Sequence, residues 1–338
     1  MSAAIKPRVL FFSPVRHALG VYKALSDVAR TEVVTSKSRE EFFEDVKGKY
    51  KDIRVIYRTS YSSAVAGPFD AQFISKLPPS LTHIHHTGAG YDQIDVAACT
   101  EKRITVTNAP DAVTDSTADL TLFLIIGALR NLNQSLLALR RGEFKKGDFG
   151  HDPQGKTLGI MGLGRIGRAV AARVKSLDMK IIYHSRRRIS PELESAADAR
   201  YVSFDELLAQ SDVISIHTPL NAGTKHLIGA AQLRKMKKGA IIINTARGAV
   251  IDEAALVDAL DSGHIGGVGL DVFEKEPKVH EGLLRNERTL IVPHMGTHST
   301  ETLAKMEAWA MGEAERVITG RPLRSVVPEQ QGLDFARL

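Results

Sequence analysis

The chain is 338 residues long with 43% hydrophobic and 25% charged residues, and this ordinary globular composition excludes disordered and fibrous proteins. Its length exceeds what one hydrophobic core usually serves, so we expect two domains. The formal net charge is +6, but the basic residues are spread along the chain and form no recognised nucleic-acid-binding module. This pattern favours small anions over nucleic acid as partners.

Cysteine and histidine usage argues against disulfides and metals. Cys99 is the only cysteine, so neither an intrachain disulfide nor a thiolate metal site can form, and a reducing compartment is expected. His83, His85 and His86 lie close together, but no carboxylate or cysteine completes a zinc-binding spacing, so we interpret them as structural or crevice-lining. The longest apolar stretch, residues 120–129, is too short to span a membrane, and no membrane role is predicted.

Short β-branched runs alternate with amphipathic stretches along the whole chain, which is typical of parallel sheets with crossover helices. The first series of predicted strands is 9–12, 32–34, 53–57, 81–85 and 105–107. The second series is 157–161, 180–184, 213–216, 240–244, 268–270 and 290–292. The clearest helical patterns are 116–140, 166–177 and 301–319. The predicted fold class is α/β, with two doubly wound parallel-sheet domains and an active-site cleft between them.

Two prolines mark where the chain should pass between these domains. Pro110 follows the last strand of the first series, and Pro293 precedes the final helical pattern. We therefore predict a discontinuous substrate domain, residues 1–108 plus 301–338, and a dinucleotide-binding domain, residues 109–300.

A glycine fingerprint stands at one predicted strand-to-helix turn. Gly162 permits the tight turn, Gly164 lets the backbone approach a pyrophosphate, and Gly167 allows close helix packing. Arg165 and Ile166 open the following helix, whose free N–H groups favour phosphate. This context predicts a Rossmann-like nucleotide site.

The residues after the next strand indicate which dinucleotide binds. A site for NAD(H) would place a carboxylate there, but the chain has Ser185, Arg186, Arg187 and Arg188. Guanidinium groups and a hydroxyl can hold a 2′-phosphate, which predicts NADP(H) in preference to NAD(H). The alternative is an exposed basic turn without a ligand.

Three other strand ends carry polar groups suited to acid–base chemistry. Arg247, Glu276 and His294 each follow an apolar strand, and ligands of open parallel sheets bind beyond the carboxyl ends of the strands. Arginine, carboxylate and imidazole together predict proton transfer beside a bound carboxylate. Taken singly, each could be an ordinary surface or turn residue.

Five motifs in this order resemble the D-isomer-specific 2-hydroxyacid dehydrogenase family, and most closely its glyoxylate/hydroxypyruvate reductase branch. The motifs are 87–92, 162–167, 245–248, 269–277 and 293–294. The spacing agrees, with 29 residues from Arg247 to Glu276 and 18 from Glu276 to His294. The resemblance covers nearly the whole chain and implies an NADPH-dependent reductase of small 2-oxo acids.

The resemblance also implies a role for each catalytic position. Arg247 would bind the substrate carboxylate and the C2 carbonyl oxygen, and His294 would protonate the developing alkoxide. Glu276 would orient the imidazole and favour the imidazolium form. Backbone N–H groups near Ala89 and Gly90 would bind the substrate carboxylate.

Further positions are assigned by the same resemblance or by their place after a strand. Arg58, which follows a predicted strand, would line the substrate pocket, although an ordinary loop is an equal alternative. Asp271 would contact the nicotinamide carboxamide. The remaining implied cofactor contacts are Thr218, Pro219, Thr245, Ala246 and Gly296.

Two other functions and two properties of the whole protein stay open at this stage. A wider pocket would suit larger or aromatic 2-oxo acids, as in a D-mandelate dehydrogenase, and a dinucleotide-sensing corepressor would share the fold. The family usually forms homodimers, and the apolar helix 116–140 is the candidate interface. The last three residues, 336–338, resemble a peroxisomal signal, so the predicted compartment is cytoplasmic or peroxisomal.

Overall fold

A computed structural model describes residues 6–333 and residue 335, and within them the chain forms two units. One unit contains the described residues up to Val113 and from His298 onwards, and the other is Thr114–Thr297. The C-terminal tripeptide 336–338 lies outside the described residues.

The first unit is a five-stranded parallel sheet in the order β2-β1-β3-β4-β5. Its strands are β1 (Arg8–Phe11), β2 (Arg30–Val33), β3 (Ile53–Arg58), β4 (His83–His86) and β5 (Thr105–Thr107). Its helices are α1 (Leu19–Val28), α2 (Arg39–Asp45), α3 (Ser63–Ala66), α4 (Ala71–Lys76), α5 (Val96–Glu101) and the late helix α14 (Thr300–Ile318). Alternate residues of the strands enter two cores: Leu10 and Ile56 belong to one, Val9 and Phe11 to the other.

The second unit is a seven-stranded parallel sheet in the order β12-β11-β10-β9-β6-β7-β8. Its strands are β6 (Thr157–Met161), β7 (Lys180–His184), β8 (Ala199–Tyr201), β9 (Val213–Ile216), β10 (Ala240–Asn244), β11 (Ile265–Leu270) and β12 (Thr289–Ile291). Its helices are α6 (Thr114–Leu129), α7 (Leu132–Arg140), α8 (Arg165–Val174), α9 (Pro191–Ala197), α10 (Phe204–Gln210), α11 (Ala230–Lys235), α12 (Glu253–Asp261) and α13 (Glu281–Arg285). Hydrophobic cores cover both faces of this sheet.

The predicted α/β class with two parallel sheets is confirmed, and every predicted strand is present within a few residues. Two details differ. The short strand β8 at the edge of the second sheet was not predicted, because its three residues, one buried, one exposed and one half-buried, form no apolar run. The single predicted helix 116–140 is two helices that meet at an angle of 72°, because Asn131 between them adopts φ 49°, a left-handed conformation that ends an α-helix.

Within the described residues, no single helix is long and apolar enough to cross a membrane. The bent pair α6 and α7 would pass that test together, by length and composition only.

Candidate functional site

The glycine fingerprint lies in the turn between β6 and α8. Gly162 has φ 96°, a conformation that residues with a side chain rarely adopt, and a Cβ there would stand 2.9 Å from the carbonyl oxygen of His217. A Cβ on Gly167 would lie 2.4 Å from the carbonyl oxygen of Gly162. Both glycines are therefore required by the fold of the turn itself.

Gly164 differs from these two, because an added Cβ would meet nothing within 4 Å. It precedes α8, and the first amides of that helix, beginning with Arg165 and Ile166, have no acceptor inside the helix. Nearby, after β9, the hydroxyl oxygen of Thr218 is buried and has no hydrogen-bond partner among the described residues. A glycine with space beside it, the N-terminal end of a helix and a buried hydroxyl without a partner in the described part of the chain fit a bound dinucleotide.

The three arginines of the basic turn after β7 differ in their contacts. Arg188 forms two hydrogen bonds to the carboxylate of Glu194, at 2.8 and 2.7 Å. Arg186 and Arg187 are exposed and have no ion pair among the described residues. The Ser185 hydroxyl oxygen accepts a hydrogen bond from the amide of Leu163 in the fingerprint turn, at 3.1 Å. Ser185 is thus tied to the fingerprint, and two cations next to it remain available for an anion.

Glu276 and His294 form a hydrogen-bonded pair. His294 Nδ1 lies 2.8 Å from Glu276 Oε2, and the other carboxylate oxygen of Glu276 accepts from the amide of Phe273 at 3.0 Å. Their side chains are 49% and 36% exposed, so the imidazole is accessible to a ligand. His294 adopts φ 51°, and its amide donates to the carbonyl oxygen of Asp271 at 2.8 Å. Sequence reasoning had paired these two residues over a separation of 18 positions.

Arg247 follows β10 in a turn that is held by Asn244. The Asn244 side chain donates to the carbonyl oxygen of Arg247 at 2.9 Å and accepts from the amide of Ala246 at 3.0 Å. The next residue, Gly248, packs against the Phe273 backbone so closely that a Cβ would stand 1.9 Å from its carbonyl carbon. This contact brings the turn that carries Arg247 beside the segment that carries Glu276.

The three side chains influence one another electrostatically. The hydrogen bond to Glu276 raises the pKa of His294 above its ordinary value, against the effects of partial burial and of the Arg247 charge. Partial burial alone would raise the pKa of Glu276, but its bond to His294 and the charges of His294 and Arg247 lower it below the ordinary value. The pair therefore favours carboxylate and imidazolium, the protonation state needed to donate a proton.

Asp271 is buried behind the pair. Its carboxylate accepts hydrogen bonds from the amides of Met295 and Gly296, the latter at 2.9 Å, and burial raises its pKa to about 6. The structure thus places Asp271 and Gly296 together, where they fix the segment after His294. Thr245, another predicted cofactor residue, has its hydroxyl bonded to that of Thr121 at 2.8 Å.

In the first unit, the loop after β4 presents free amides. The carbonyl oxygen of Gly88 accepts from the amide of Ala109 at 2.9 Å, and that of Ala89 accepts from the Asn108 side chain at 2.7 Å. The carbonyl oxygen of Gly90 lies 3.1 Å from His86 Nε2. In a trans peptide the next N–H points away from such a carbonyl. Within the described residues, the amides of 89–91 have no protein acceptor, as a concave anion site requires.

Arg58 differs from its expected position in an open pocket. Its side chain is 1% exposed, and its guanidinium bonds to His86 Nδ1 at 3.1 Å and to Gln93 Oε1 at 2.8 Å. It also lies over the ring of Phe69, 5.0 Å from the centroid. Arg58 therefore contacts protein groups here, and a direct contact with substrate stays a prediction.

Two contributors were missed by sequence reasoning. The sequence places Asn108 two residues before Pro110, at the predicted domain boundary, and its side-chain amide holds the loop after β4. Asn244 ends the predicted strand 240–244, and its side chain holds the turn that carries Arg247. A side-chain amide next to a glycine-rich or turn segment was the available signal.

His85 is buried and bonds Thr107, and the described part of the chain contains no cluster of three metal-binding side chains.

Comparison with known proteins gives a consistent result. The family described as "D-isomer specific 2-hydroxyacid dehydrogenase, NAD binding domain" matches residues 122–296. Among curated relatives, 4-methyl-2-oxopentanoate reductase A of Aspergillus oryzae is 48% identical over 329 residues, covering 97% of this chain and 99% of that protein. Glyoxylate reductase 1 of Saccharomyces cerevisiae is 44% identical over 328 residues, covering 94% and 93%.

Three solved structures are similar to this chain over 96–99% of its length. A glyoxylate reductase from Paecilomyes thermophila superposes with a TM-score of 0.93 at 48% identity, covering 96% of this chain and 99% of that one. Holo D-mandelate dehydrogenase of Rhodotorula graminis gives 0.93 at 32% identity, covering 99% and 100%. An NADPH-dependent glyoxylate/hydroxypyruvate reductase of Sinorhizobium meliloti, in complex with NADP and malonate, gives 0.84 at 28% identity, covering 98% and 99%.

Proposed function

The chain belongs to the D-isomer specific 2-hydroxyacid dehydrogenase family and is an oxidoreductase, and on that premise we propose that it reduces small 2-oxo acids such as glyoxylate and hydroxypyruvate with NADPH, giving D-2-hydroxy acids. The observation that carries this proposal is the 2.8 Å bond between His294 and Glu276, with the Arg247 charge acting on both. The arrangement combines a proton donor with a cation for the substrate carboxylate.

Each residue of this site has a physical role in the proposed reaction. Arg247 binds the carboxylate and polarises the C2 carbonyl, which stabilises negative charge as it develops on the oxygen. The nicotinamide dinucleotide, when bound, supplies the hydride that adds to C2. His294 donates the proton from Nε2 to that oxygen and regains one from water, while Glu276 holds Nδ1 and favours the charged ring.

The preference for NADPH is the finer part of the cofactor proposal. Ser185, Arg186 and Arg187 offer a hydroxyl and two exposed cations where a carboxylate would repel a 2′-phosphate. The relative from S. meliloti named above was crystallised with NADP. Thr218 and the amides at the start of α8 provide the remaining polar groups.

The substrate range is tested with purified protein and a chain-length series. We expect NADPH oxidation with glyoxylate and hydroxypyruvate, and comparison with 4-methyl-2-oxopentanoate and phenylglyoxylate measures the width of the pocket. The A. oryzae and R. graminis relatives, named for a branched substrate and for mandelate, favour keeping these acids as the second candidate. Dinucleotide binding without turnover of any 2-oxo acid, and without an effect of Arg247→Ala, would favour a sensing protein of the corepressor type instead.

A homodimer is the proposed assembly. α6 and α7 and the segment that follows carry exposed apolar side chains, which are uncommon on a monomer surface when they cluster. These side chains are Phe123, Leu136, Leu139, Phe144 and Phe149. We expect light scattering to give about twice the 36.9 kDa chain mass, and Leu139→Lys to shift the protein towards monomer. Monomeric wild-type protein would contradict the assembly and leave the chemistry standing.

A further inference from the structure

Arg58 brackets the loop 87–92 from both sides. Its carbonyl oxygen accepts from the amide of Thr87 at 3.0 Å, before the free amides, and its guanidinium donates to Gln93 Oε1 at 2.8 Å, after them. The third contact is to His86 Nδ1 at 3.1 Å. A side chain that is 1% exposed and bonded on both flanks of a loop restricts the conformations that this loop can adopt.

The contacts of His86 restrict where its ring carries a proton. His86 Nδ1 lies 3.1 Å from the Arg58 guanidinium, which can only donate, and 3.3 Å from the Arg58 carbonyl oxygen, which can only accept. His86 Nε2 lies 3.1 Å from the Gly90 carbonyl oxygen and donates to it. Burial lowers the pKa of Arg58 to about 10, which leaves the guanidinium charged at neutral pH. The neutral Nε2–H form of His86 satisfies the two shorter contacts, to the guanidinium and to Gly90, and leaves the 3.3 Å contact with the Arg58 carbonyl oxygen without a hydrogen bond.

The ring also fixes the shape of the loop by contact. A Cβ on Gly88 would lie 2.8 Å from His86 Nε2, so only glycine fits above the imidazole. With its carbonyl oxygen bound to His86, the Gly90 peptide directs the following N–H, that of Tyr91, away from His86.

From these contacts we propose that Arg58 and His86 are positioning residues, which hold the Gly90 peptide so that the free amides of 89–91 meet the substrate carboxylate. The inference rests on the proposed function, because it assigns that carboxylate to these amides. It also gives Arg58 a role that its burial allows: it acts through His86 and not by touching the substrate. Preorganised amides bind an anion more tightly because no ordering cost remains at binding.

His86→Phe tests the proposal, since it keeps the ring and removes the bond to Gly90. We expect the KM for glyoxylate and the inhibition constant of oxamate to rise about tenfold, the size of one lost hydrogen bond between an amide and the ligand carboxylate. The kcat should change less than about threefold, and the KM for NADPH should stay unchanged. His85→Phe is the matched control, because His85 is equally buried on the same strand and bonds Thr107 instead of the loop. This control should keep the wild-type KM.

Two more variants keep the test decisive if His86→Phe does not fold. His86→Gln can still donate to the Gly90 carbonyl and should stay within about threefold of the wild-type KM, whereas Arg58→Met should raise it. Wild-type KM values in both His86→Phe and Arg58→Met, or an equal rise in His85→Phe, would overturn the proposal. Absence of glyoxylate turnover in the wild type would instead reject the proposed function.

Discussion

The two units carry groups suited to an anion in different parts of the chain. In Thr114–Thr297 the chemistry is in side chains: Glu276 and His294 form a hydrogen-bonded pair, and the charge of Arg247 acts on both. In the other unit it is in the main chain, where the carbonyl oxygens of 88–90 bind protein groups and the following amides have no acceptor among the described residues. Side chains can transfer protons, whereas amides can only hold and orient a charge.

This difference predicts how each site responds to substitution. A single substitution removes a reactive side chain, so substitutions in the second unit should lower kcat. Main-chain amides cannot be removed, so the first unit can be altered only through the groups that hold its loop, and such changes should act on KM.

The largest effect should come from His294→Gln, which removes the proposed proton donor. We expect kcat for glyoxylate reduction to fall by about 10²–10⁴-fold, the usual contribution of a general acid, with NADPH affinity retained. Stopped-flow absorbance at saturating substrate measures it. His151→Gln, at an exposed histidine of the same unit, is the control. A fall of less than about threefold would remove the proposed division between a proton-transferring and an anion-holding unit.

Glu276→Gln should follow in size and should change the pH profile. The raised pKa of His294 keeps the ring protonated at higher pH, so reduction is lost as the pH rises through that pKa. Without the carboxylate charge the pKa falls, and the alkaline limb of kcat should move to lower pH with about a tenfold loss at neutral pH.

Glu274→Gln provides the comparison for that profile. Glu274 Oε1 lies 3.1 Å from His226 Nε2, so it forms a second carboxylate–histidine pair on the same segment. We expect the alkaline limb of the kcat profile of Glu274→Gln to coincide with that of the wild type. Equal displacement in both variants would assign the effect to the segment and not to the Glu276–His294 pair.

A smaller effect is expected from the arginine side chains of the basic turn after β7, in the proposed cofactor site. Replacing Arg186 and Arg187 together by alanine should raise the KM for NADPH about tenfold and leave that for NADH unchanged, because only the 2′-phosphate needs these cations. Arg188→Ala should have no such effect, since Arg188 is bonded to Glu194. If Arg188→Ala lowered NADPH affinity as much as the double variant, the division within this turn would be wrong.

The smallest expected effect concerns Thr218, whose buried hydroxyl has no partner in the part of the chain that the structure describes. Thr218→Val should leave the melting temperature of the free protein unchanged or slightly higher, because an unsatisfied hydroxyl is replaced by a methyl group. It should weaken dinucleotide binding about threefold by calorimetry. Unchanged binding would leave the hydroxyl without a ligand role.

Particular residues show how far the sequence could go. The strands β6, β7, β9 and β10 begin and end where predicted, because buried parallel strands are continuous apolar runs. The break of helix 116–140 was not predicted, because Asn131 adopts a left-handed conformation that the surrounding sequence pattern does not indicate. Strand β8 was missed because an edge strand needs no apolar run.

The sequence by itself determined what sits at strand ends: the glycine fingerprint, the basic turn after β7, and the arginine, carboxylate and histidine of the second unit. It could do so because each is a residue type at a fixed offset from an apolar run. Only the tertiary structure decided which of these groups are free. Arg188 bonds Glu194 while Arg186 and Arg187 do not, and Arg58 is buried behind the loop 87–92. Hydrogen-bond partners distant in sequence make that choice, and no local pattern contains them.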